Sequence, residues 1–227
     1  MSLKEYKSKR RFDVTPEPAG ESSHMKPGAP LAYVIQKHAA TNLHYDFRLE
    51  WKDVLLSWAV PKGPSLDPSV KRLAMQVEDH PVEYGGFEGI IPPGEYGGGT
   101  VMVWDRGTWS PEVPDPDAAL AKGDLKFTLH GKKLKGSWVL VRTRGYGGNR
   151  GRSAWLLIKH RDQYASVDDV TVQKPRSAAS GRLLGEIAAE AGGEVARAGK
   201  GDPAARPQRA KASRVAAAAN GRKRRKA

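Results

Sequence analysis

The sequence predicts a mainly β protein, a closed or partly open antiparallel β-barrel of about eight strands with a few short flanking helices. Eight short segments rich in β-branched and aromatic residues follow one another at close spacing, separated by turn residues. Within residues 43–51, apolar and polar side chains alternate strictly, as in a strand with one face against a core. Only one short helical pattern, at 115–123, interrupts the series.

The candidate strands cover residues 31–38, 43–51, 55–60, 72–78, 100–104, 125–129, 138–143 and 154–160. In the fourth of them, the pattern predicts that Leu73, Met75 and Val77 point inward, whereas Arg72, Gln76 and Glu78 point outward. The helix pattern begins with an acidic residue and a proline, Asp115 and Pro116, and ends at Gly123. These signals predict a helix between the fifth and sixth strands.

Composition predicts three parts: an N-terminal arm (1–30) that contributes to the domain, a barrel (31–174) and a basic, disordered tail or linker (175–227). Every Trp, Tyr and Phe lies at or before Tyr164, so the tail has no aromatic residue for a core. Of the net charge of +13, the tail contributes 13 Lys and Arg minus 4 Asp and Glu, or +9. Such a tail is typical of an electrostatic arm for nucleic acid. A short helix around 183–191 could form there with a partner.

The chain has no cysteine, which excludes disulfides and thiolate metal sites, so any bound metal must use nitrogen and oxygen ligands. No apolar run approaches the length of a membrane span, and the basic start is not followed by an apolar stretch. We therefore expect a soluble, cytoplasmic protein with no membrane partner.

The polar face of residues 43–51 concentrates groups that bind divalent cations and phosphate. His44 and Asp46 are two positions apart on one strand, so their Cα atoms lie roughly 6.5–7 Å apart and their side chains can converge. His38 enters from the preceding strand across a short turn, and Arg48 follows on the same face. Two histidines and one carboxylate leave positions open for water and substrate. The pattern predicts a catalytic metal site with a phosphate-binding arginine beside it.

Two further segments offer polar candidates. His80 and Tyr84 supply a titratable and a neutral hydrogen-bond donor on a loop that follows the fourth strand, where a simple polar loop is the alternative interpretation. Lys62 is a third cation candidate, and a role in surface solubility is its alternative. The glycine-rich run at 94–99 lacks the spacing of a phosphate-binding loop and indicates a wide turn.

Three segments of the sequence, at 36–50, 58–64 and 78–96, resemble the 3′-phosphoesterase domain of bacterial ligase D. This family also includes stand-alone DNA repair proteins. The resemblance covers about residues 5–165. It implies a β-barrel with a manganese ion, or another divalent transition metal, at His38, His44 and Asp46. The implied phosphate-contacting residues are Arg48, His80 and Tyr84, with His80 the candidate that protonates the leaving oxygen. Supporting positions implied by the same resemblance are Gln36, Lys62, Arg72, Glu78, Arg10 and Glu17. The arm departs from the family pattern at Arg11 and Asp13.

The resemblance implies a manganese-dependent enzyme that heals 3′ ends during non-homologous end joining. A phosphodiesterase step removes a 3′-terminal ribonucleoside, a phosphomonoesterase step removes the remaining 3′-phosphate, and a 3′-OH is left for ligation. Either water or the neighbouring 2′-OH is the nucleophile. Implied partners are DNA ends carrying a 3′-ribonucleotide or 3′-phosphate, together with Ku and the ligase and polymerase modules, at the bacterial or archaeal nucleoid.

Two other function classes stay open. Because His44 and Asp46 with a distant histidine also match the facial triad of a non-haem iron oxygenase, oxygen consumption with iron is the discriminating test. The neighbouring Arg48 argues against that class. The other alternative is a non-catalytic nucleic-acid-binding barrel, which manganese-dependent phosphate release would exclude.

Overall fold

The computed structural model describes residues 3–20, 28–143 and 153–203. Ten strands form one antiparallel sheet: β1 (Leu31–Ala39), β2 (Leu43–Trp51), β3 (Val54–Val60), β4 (Arg72–Gln76), β5 (His80–Pro81), β6 (Gly89–Ile91), β7 (Gly99–Pro111), β8 (Asp124–Gly131), β9 (Lys135–Arg142) and β10 (Ala154–Lys159). Around these, within the described ranges, lie five short helices: α1 (Lys4–Ser8), α2 (Pro116–Lys122), α3 (Val170–Gln173), α4 (Leu184–Glu190) and α5 (Val195–Gly199). One 3-10 helix spans Val82–Gly86.

Eight of the strands close into a barrel. Their order is β1-β2-β3-β4-β10-β9-β8-β7, and β7 pairs again with β1 along its length. The two shortest strands lie off this circuit, since β5 pairs with β3 and β6 with β7. The predicted fold class is therefore confirmed, and each of the eight candidate segments is a barrel strand. Strand β7 continues well past the predicted end at 104.

Helix α2 forms where its sequence signals predicted it. The Asp115 side chain accepts a hydrogen bond from the Ala118 amide, and Pro116 occupies the first turn, where a missing amide donor costs nothing. Gly123 ends the helix with a φ of 85°, in the left-handed region that favours glycine. Local capping thus fixes both ends of this helix.

Large aromatic side chains fill the barrel interior. Among the most deeply buried of them are Phe47, Trp58, Trp104, Phe127, Trp138 and Trp155. The apolar side chains of β2 point into this core, as the alternation predicted, except that Leu43 at the strand's start is exposed. Because side chains fill a barrel of this size, a functional cavity has to lie outside the interior.

The outer face of β1–β3 is also buried, because the N-terminal arm and the 3-10 helix cover it. A second apolar cluster forms there from Tyr6, Val34, Leu55, Tyr84 and Val103. Beneath this cover lie the polar side chains that alternate with the core residues of β2, including Asp46, Arg48 and Glu50, each less than a tenth exposed. The chain thus buries ionisable groups on the outside of its barrel.

The predicted orientation of β4 was wrong. Ala74 is the β4 residue in the core, and Gln76 accepts a hydrogen bond from the buried Trp155 indole at 3.1 Å. Met75 and the following Val77 instead line a cavity on the outer face. Alternation holds within β4 and ends at Gln76, because Val77 and Glu78 both line this cavity, so Glu78 does lie on its predicted outer side. Within β4, the interior accepts a small residue and a hydrogen-bonding amide where the pattern favoured the larger apolar residues.

The prediction of disorder from residue 175 onward needs correction over 175–203. Leu184, Ile187 and Ala188 of α4 are buried and belong to the main core, as does Ala198 of α5. These helices contribute only aliphatic side chains to the core, and the barrel contributes the aromatic ones. Residues 204–227, including the basic cluster at 222–226, lie outside the described residues. The division into arm, barrel and tail stays a prediction.

Among the described residues, no helix has the length and apolar character needed to cross a membrane.

Candidate metal and phosphate site

The three predicted metal ligands meet on the outer face of the β1–β2 pair. Register places His38 directly opposite His44 and puts Gln36 opposite Asp46. His38 Nδ1 lies 3.7 Å from Asp46 Oδ2, and His44 Nε2 lies 3.6 Å from Asp46 Oδ1. One ligand atom from each of the three residues lies within 4.8 Å of the others. The predicted convergence of His38, His44 and Asp46 is confirmed.

Backbone carbonyls orient both imidazole rings. His38 Nε2 lies 2.8 Å from the Gly97 carbonyl oxygen, and His44 Nδ1 lies 2.9 Å from that of Asn42. Since a carbonyl only accepts hydrogen bonds, these two nitrogens donate to it, and the other ring nitrogens, His38 Nδ1 and His44 Nε2, are the ones that face Asp46. Outer hydrogen bonds of this kind are usual for metal-binding histidines. The residues therefore fit a divalent ion that accepts nitrogen and oxygen ligands.

Asp46 is an ionised carboxylate. Burial by itself disfavours the charge, but the Arg48 guanidinium, and then His44 and His38, hold the pKa of Asp46 far below its usual range. Arg48 Nη2 lies 3.1 Å from Asp46 Oδ2. The carboxylate thus keeps, well below neutral pH, the negative charge that a bound cation needs.

Arg48 is held by three buried neighbours at once. Its Nε donates to Gln36 Oε1 at 2.8 Å, and its Nη1 donates to Ser57 Oγ at 2.7 Å, while Nη2 faces Asp46. Gln36 is fixed in turn, because its amide donates to the carbonyls of Tyr84 and Phe87. The Arg48 guanidinium carbon lies 4.9 Å from the centroid of the Tyr84 ring. A planar cation in a fixed orientation suits a phosphate group.

His80 is a buried neutral imidazole. Its Nδ1 lies 2.9 Å from the Glu78 carbonyl and therefore carries the proton, whereas Arg10 Nη2 approaches its Nε2 at 3.3 Å. Burial, followed by the charges of Arg48 and Arg10, lowers the pKa of His80 well below 6.5. Beside it, burial raises the pKa of Tyr84 well above 10, so the phenol keeps its proton.

The N-terminal arm delivers Arg10 to the same site. Arg10 Nε donates to Glu17 Oε1 at 2.8 Å, and Nη1 lies 3.5 Å from Glu78 Oε1. Its guanidinium also stacks 3.8 Å from the centroid of the Tyr6 ring. Glu78 is buried, and its Oε2 also lies 3.1 Å from Lys9 Nζ. A buried network of paired charges therefore fastens the arm to the barrel wall.

These groups surround one cavity with a volume of about 490 Å³, a size usual for small-ligand sites. The three candidate metal ligands line one part of it. The predicted phosphate-binding side chains that also line it are Arg48, His80, Tyr84, Glu78 and Arg10.

Four predicted residues do not line the cavity. Gln36 and Glu17 act one step away, through Arg48 and Arg10 respectively. Lys62 is exposed and does not line the cavity. Arg72 is half-buried and lies on the face of β4 opposite to Met75, so its side chain does not line the cavity either. Roles for Lys62 and Arg72 stay predictions.

Sequence reasoning missed several residues of the site. Tyr6, Ser57 and Gly97 orient Arg10, Arg48 and His38, but each is an ordinary residue whose partner is distant along the chain. Tyr96 lines the cavity and is 40% exposed. For Tyr6 and Tyr96, the only signal in the sequence is an isolated aromatic residue, in a polar arm and in a glycine-rich turn respectively.

Arg11, where the arm departs from the family pattern, forms an ion pair with Glu95 in the glycine-rich turn. Its guanidinium is largely exposed, whereas the Glu95 side chain is 6% exposed. This pair joins the arm to the turn that carries Gly97 and Tyr96. Arg11 therefore has a structural contact of its own at the position where the arm departs from the family pattern.

Comparison with known proteins gives concordant matches. Residues 36–142 match the family model of the DNA ligase D 3′-phosphoesterase domain. The chain is 51% identical over 210 residues to the multifunctional non-homologous end joining protein LigD of Pseudomonas aeruginosa, an alignment that covers 91% of this chain and 24% of the relative. It is 45% identical over 161 residues to LigD of Mycobacterium tuberculosis (71% of this chain, 20% of the relative). It is 41% identical over 168 residues to LigD of Mycolicibacterium smegmatis (71% and 21%). The chain thus spans a quarter or less of the length of these relatives.

Proposed function

The chain belongs, over residues 36–142, to the DNA ligase D 3′-phosphoesterase domain family, and we propose that it heals the 3′ ends of nucleic acid strands with the help of a divalent metal. One observation carries the proposal. The candidate metal ligands His38, His44 and Asp46 line the same cavity as Arg48, Arg10, His80 and Tyr84. Cation-binding and phosphate-binding groups in one cavity fit the cleavage of a phosphate ester.

We assign the metal position to His38, His44 and Asp46. A manganese ion, or another divalent transition metal, would supply a Lewis acid there to polarise a phosphoryl oxygen. The mixed nitrogen and oxygen ligands suit such ions, and the set of ligands does not by itself distinguish among them.

The side chains of the chain orient the phosphate and neutralise its developing charge. Arg48 presents a guanidinium fixed by Gln36 and Ser57, so little reorganisation is needed when charge builds on the phosphoryl oxygens. Tyr84 offers a neutral hydroxyl donor. Arg10 adds a second cation, held by Glu17.

His80 takes up a proton only when substrate is bound. In the free protein burial, and then the charges of Arg48 and Arg10, lower the pKa of His80 and keep it neutral, so it cannot act at once as the acid first predicted from the sequence. A phosphate that binds Arg48 and Arg10 brings negative charge that opposes their effect and raises the pKa of His80. We propose that His80 then protonates the leaving oxygen.

We propose two sequential steps on a primer strand. In the first, a 3′-terminal ribonucleoside is removed and a 3′-phosphate is left. In the second, the 3′-phosphate is removed to give 3′-OH. The names of the relatives place LigD in non-homologous end joining, which supports DNA ends as substrates, and Ku with the ligase and polymerase modules as partners, at the bacterial nucleoid.

A time course with manganese on two matched primer duplexes tests this function. One primer ends in a single ribonucleotide, and the other is entirely deoxy. If the site pairs with the 2′-OH, the ribonucleotide end should be processed roughly a hundredfold faster, because buried polar groups otherwise stay unpaired. A transient 3′-phosphate strand followed by a 3′-OH strand is the expected pattern. Progressive degradation of the deoxy primer to mononucleotides would instead identify an exonuclease.

An Asp46→Ala protein is the control for contaminating phosphatases. Its candidate metal site has lost the carboxylate, so both steps should disappear. Activity that persists in this variant at the wild-type rate would contradict the proposed metal site.

A further inference from the structure

One wall of the cavity is apolar, and nothing in the chemistry described so far uses it. It consists of Ala59 on β3, Met75 on β4 and Val77 just after β4, and we call these three residues the apolar floor. None of the three is fully buried. Because they line a cavity in the described structure, their apolar surface faces open space that a ligand can fill.

The apolar floor lies immediately beside the metal ligands. Strand register places Ala59 directly opposite Asp46, and places Met75 directly opposite Ala59. These side chains therefore form one continuous row on the outer face of β2, β3 and β4, with neighbouring strands about 4.8 Å apart. A substrate whose phosphate is held by Arg48, beside the candidate metal ligand Asp46, extends over this floor if it leaves the site in the direction of β4.

Another part of the cavity has a different character. Arg10 lines it, Lys9 lies next to it against Glu78, and Tyr96 stands between these cations with its ring 4.7 Å from Lys9 Nζ. Cations suit the primer strand, which carries a negative charge at every phosphate. The apolar floor suits the other portion of the substrate, the terminal nucleoside, which leaves without any phosphate.

We propose that Ala59, Met75 and Val77 form the subsite that holds the base of the departing 3′-terminal nucleoside. This inference rests on the proposed function. In the net diesterase step, the bond between phosphorus and the 5′ oxygen of this nucleoside breaks. A water molecule contributes its oxygen to phosphorus and a proton to the 5′ oxygen, so a neutral nucleoside and a 3′-phosphate strand result. Since the floor side chains have no hydrogen-bonding group, the subsite accepts all four bases.

The two steps respond differently to this subsite, which gives the test. A 3′-phosphate strand has no departing nucleoside, so its hydrolysis does not occupy the floor. Ala59→Leu adds apolar volume on the outer face, away from the aromatic interior. We expect the ratio of diester to monoester cleavage to fall about tenfold or more. The matched control is Ala121→Leu, at an exposed position on α2, where the ratio should stay that of the wild type.

A second variant tests contact rather than steric block. Met75→Ala shortens the floor, and we expect KM for the diester to rise about tenfold while Met75→Leu, with a similar volume, restores it. A primer whose terminal ribose lacks a base should be cleaved equally well by the wild type and by Met75→Ala, because it has no base to lose contact with.

The outcomes separate the subsite from the proposed function. If the wild type releases neither nucleoside nor phosphate, the proposed function fails. If the wild type performs both steps but Ala59→Leu lowers both equally, or Met75→Ala slows the abasic end as much as the normal one, the function stands and the subsite is refuted.

Discussion

Replacing Arg48 with lysine should separate the geometry of the guanidinium from its charge. The side chain is 2% exposed and contacts Gln36, Ser57 and Asp46 through three different nitrogens. Lysine keeps the positive charge near Asp46 but has a single nitrogen at the end of a flexible chain. It cannot serve all three neighbours, nor can it present two parallel donors to a phosphate.

These contacts give the expected loss in the free energy of unfolding and in kcat. Loss of Arg48 Nε and Nη1 leaves two buried acceptors, Gln36 Oε1 and Ser57 Oγ, without their donors. At about 1–3 kcal/mol for each, the free energy of unfolding should fall by about 2–6 kcal/mol. Loss of one preorganised donor to the transition state should lower kcat about 10²–10³-fold.

The assay pairs thermal unfolding with single-turnover release of phosphate from a 3′-phosphate primer in manganese. Arg106→Lys is the matched control, because Arg106 is exposed on β7 and lies outside the cavity. If Arg48→Lys keeps kcat within about threefold of the wild type, a positive charge alone suffices at this position and the guanidinium geometry is not required.

Three other changes should have distinct effects. His38→Ala should abolish binding of manganese in calorimetry together with both activities, whereas His130→Ala, at an exposed position, should not. Below pH 6.5, the ordinary pKa of histidine, the protein should lose stability, because the unfolded chain takes up a proton that buried His80 does not. Urea unfolding at about pH 7.5 and about pH 5.5 should show a smaller loss for His80→Gln. Tyr6→Ala should cost about 3–5 kcal/mol and lower activity, because the fully buried ring supports Arg10; an unchanged urea midpoint would contradict this.

The strands and the metal ligands could be predicted because both depend on local periodicity. Alternation within β2 places His44 and Asp46 on one face, and the short turn before it brings His38 opposite. These relations involve neighbours in one hairpin, so a single sequence suffices to find them. The same applies to the caps of α2.

The orientation of β4 could not be predicted because it depends on partners far along the chain. Met75 and Val77 are apolar because they form a wall of the cavity outside the barrel. Sequence periodicity does not distinguish such a wall from the barrel core. Gln76 faces the core because Trp155, distant in sequence, offers it an indole N–H. Alternation fixes which residues share a face but not which face lies inside.

The order of residues 175–203 escaped prediction for a related reason. Composition measures whether a segment can form its own core, and this one cannot. It needs only a few aliphatic contacts, because the barrel provides the rest of the core. Polar pairs then fix this segment on the barrel. Lys37 Nζ, buried on β1, lies 3.7 Å from Asp202 Oδ1. The Asp202 carboxylate also accepts hydrogen bonds from the first two amides of α4.

Removal of the tail at two positions should therefore have two different results. A chain that ends at residue 174 loses the buried side chains of α4 and α5 and both partners of the Lys37 ammonium, Gly201 and Asp202, so its midpoint of urea unfolding should fall. A chain that ends at 203 keeps these contacts and loses nine basic residues and no acidic one. Its stability should be unchanged, whereas its affinity for DNA should fall and its salt dependence become shallower, by roughly 0.7–0.9 in the log–log slope for each lost phosphate contact. Equal salt slopes for this chain and the full one would show that residues 204–227 do not contact DNA.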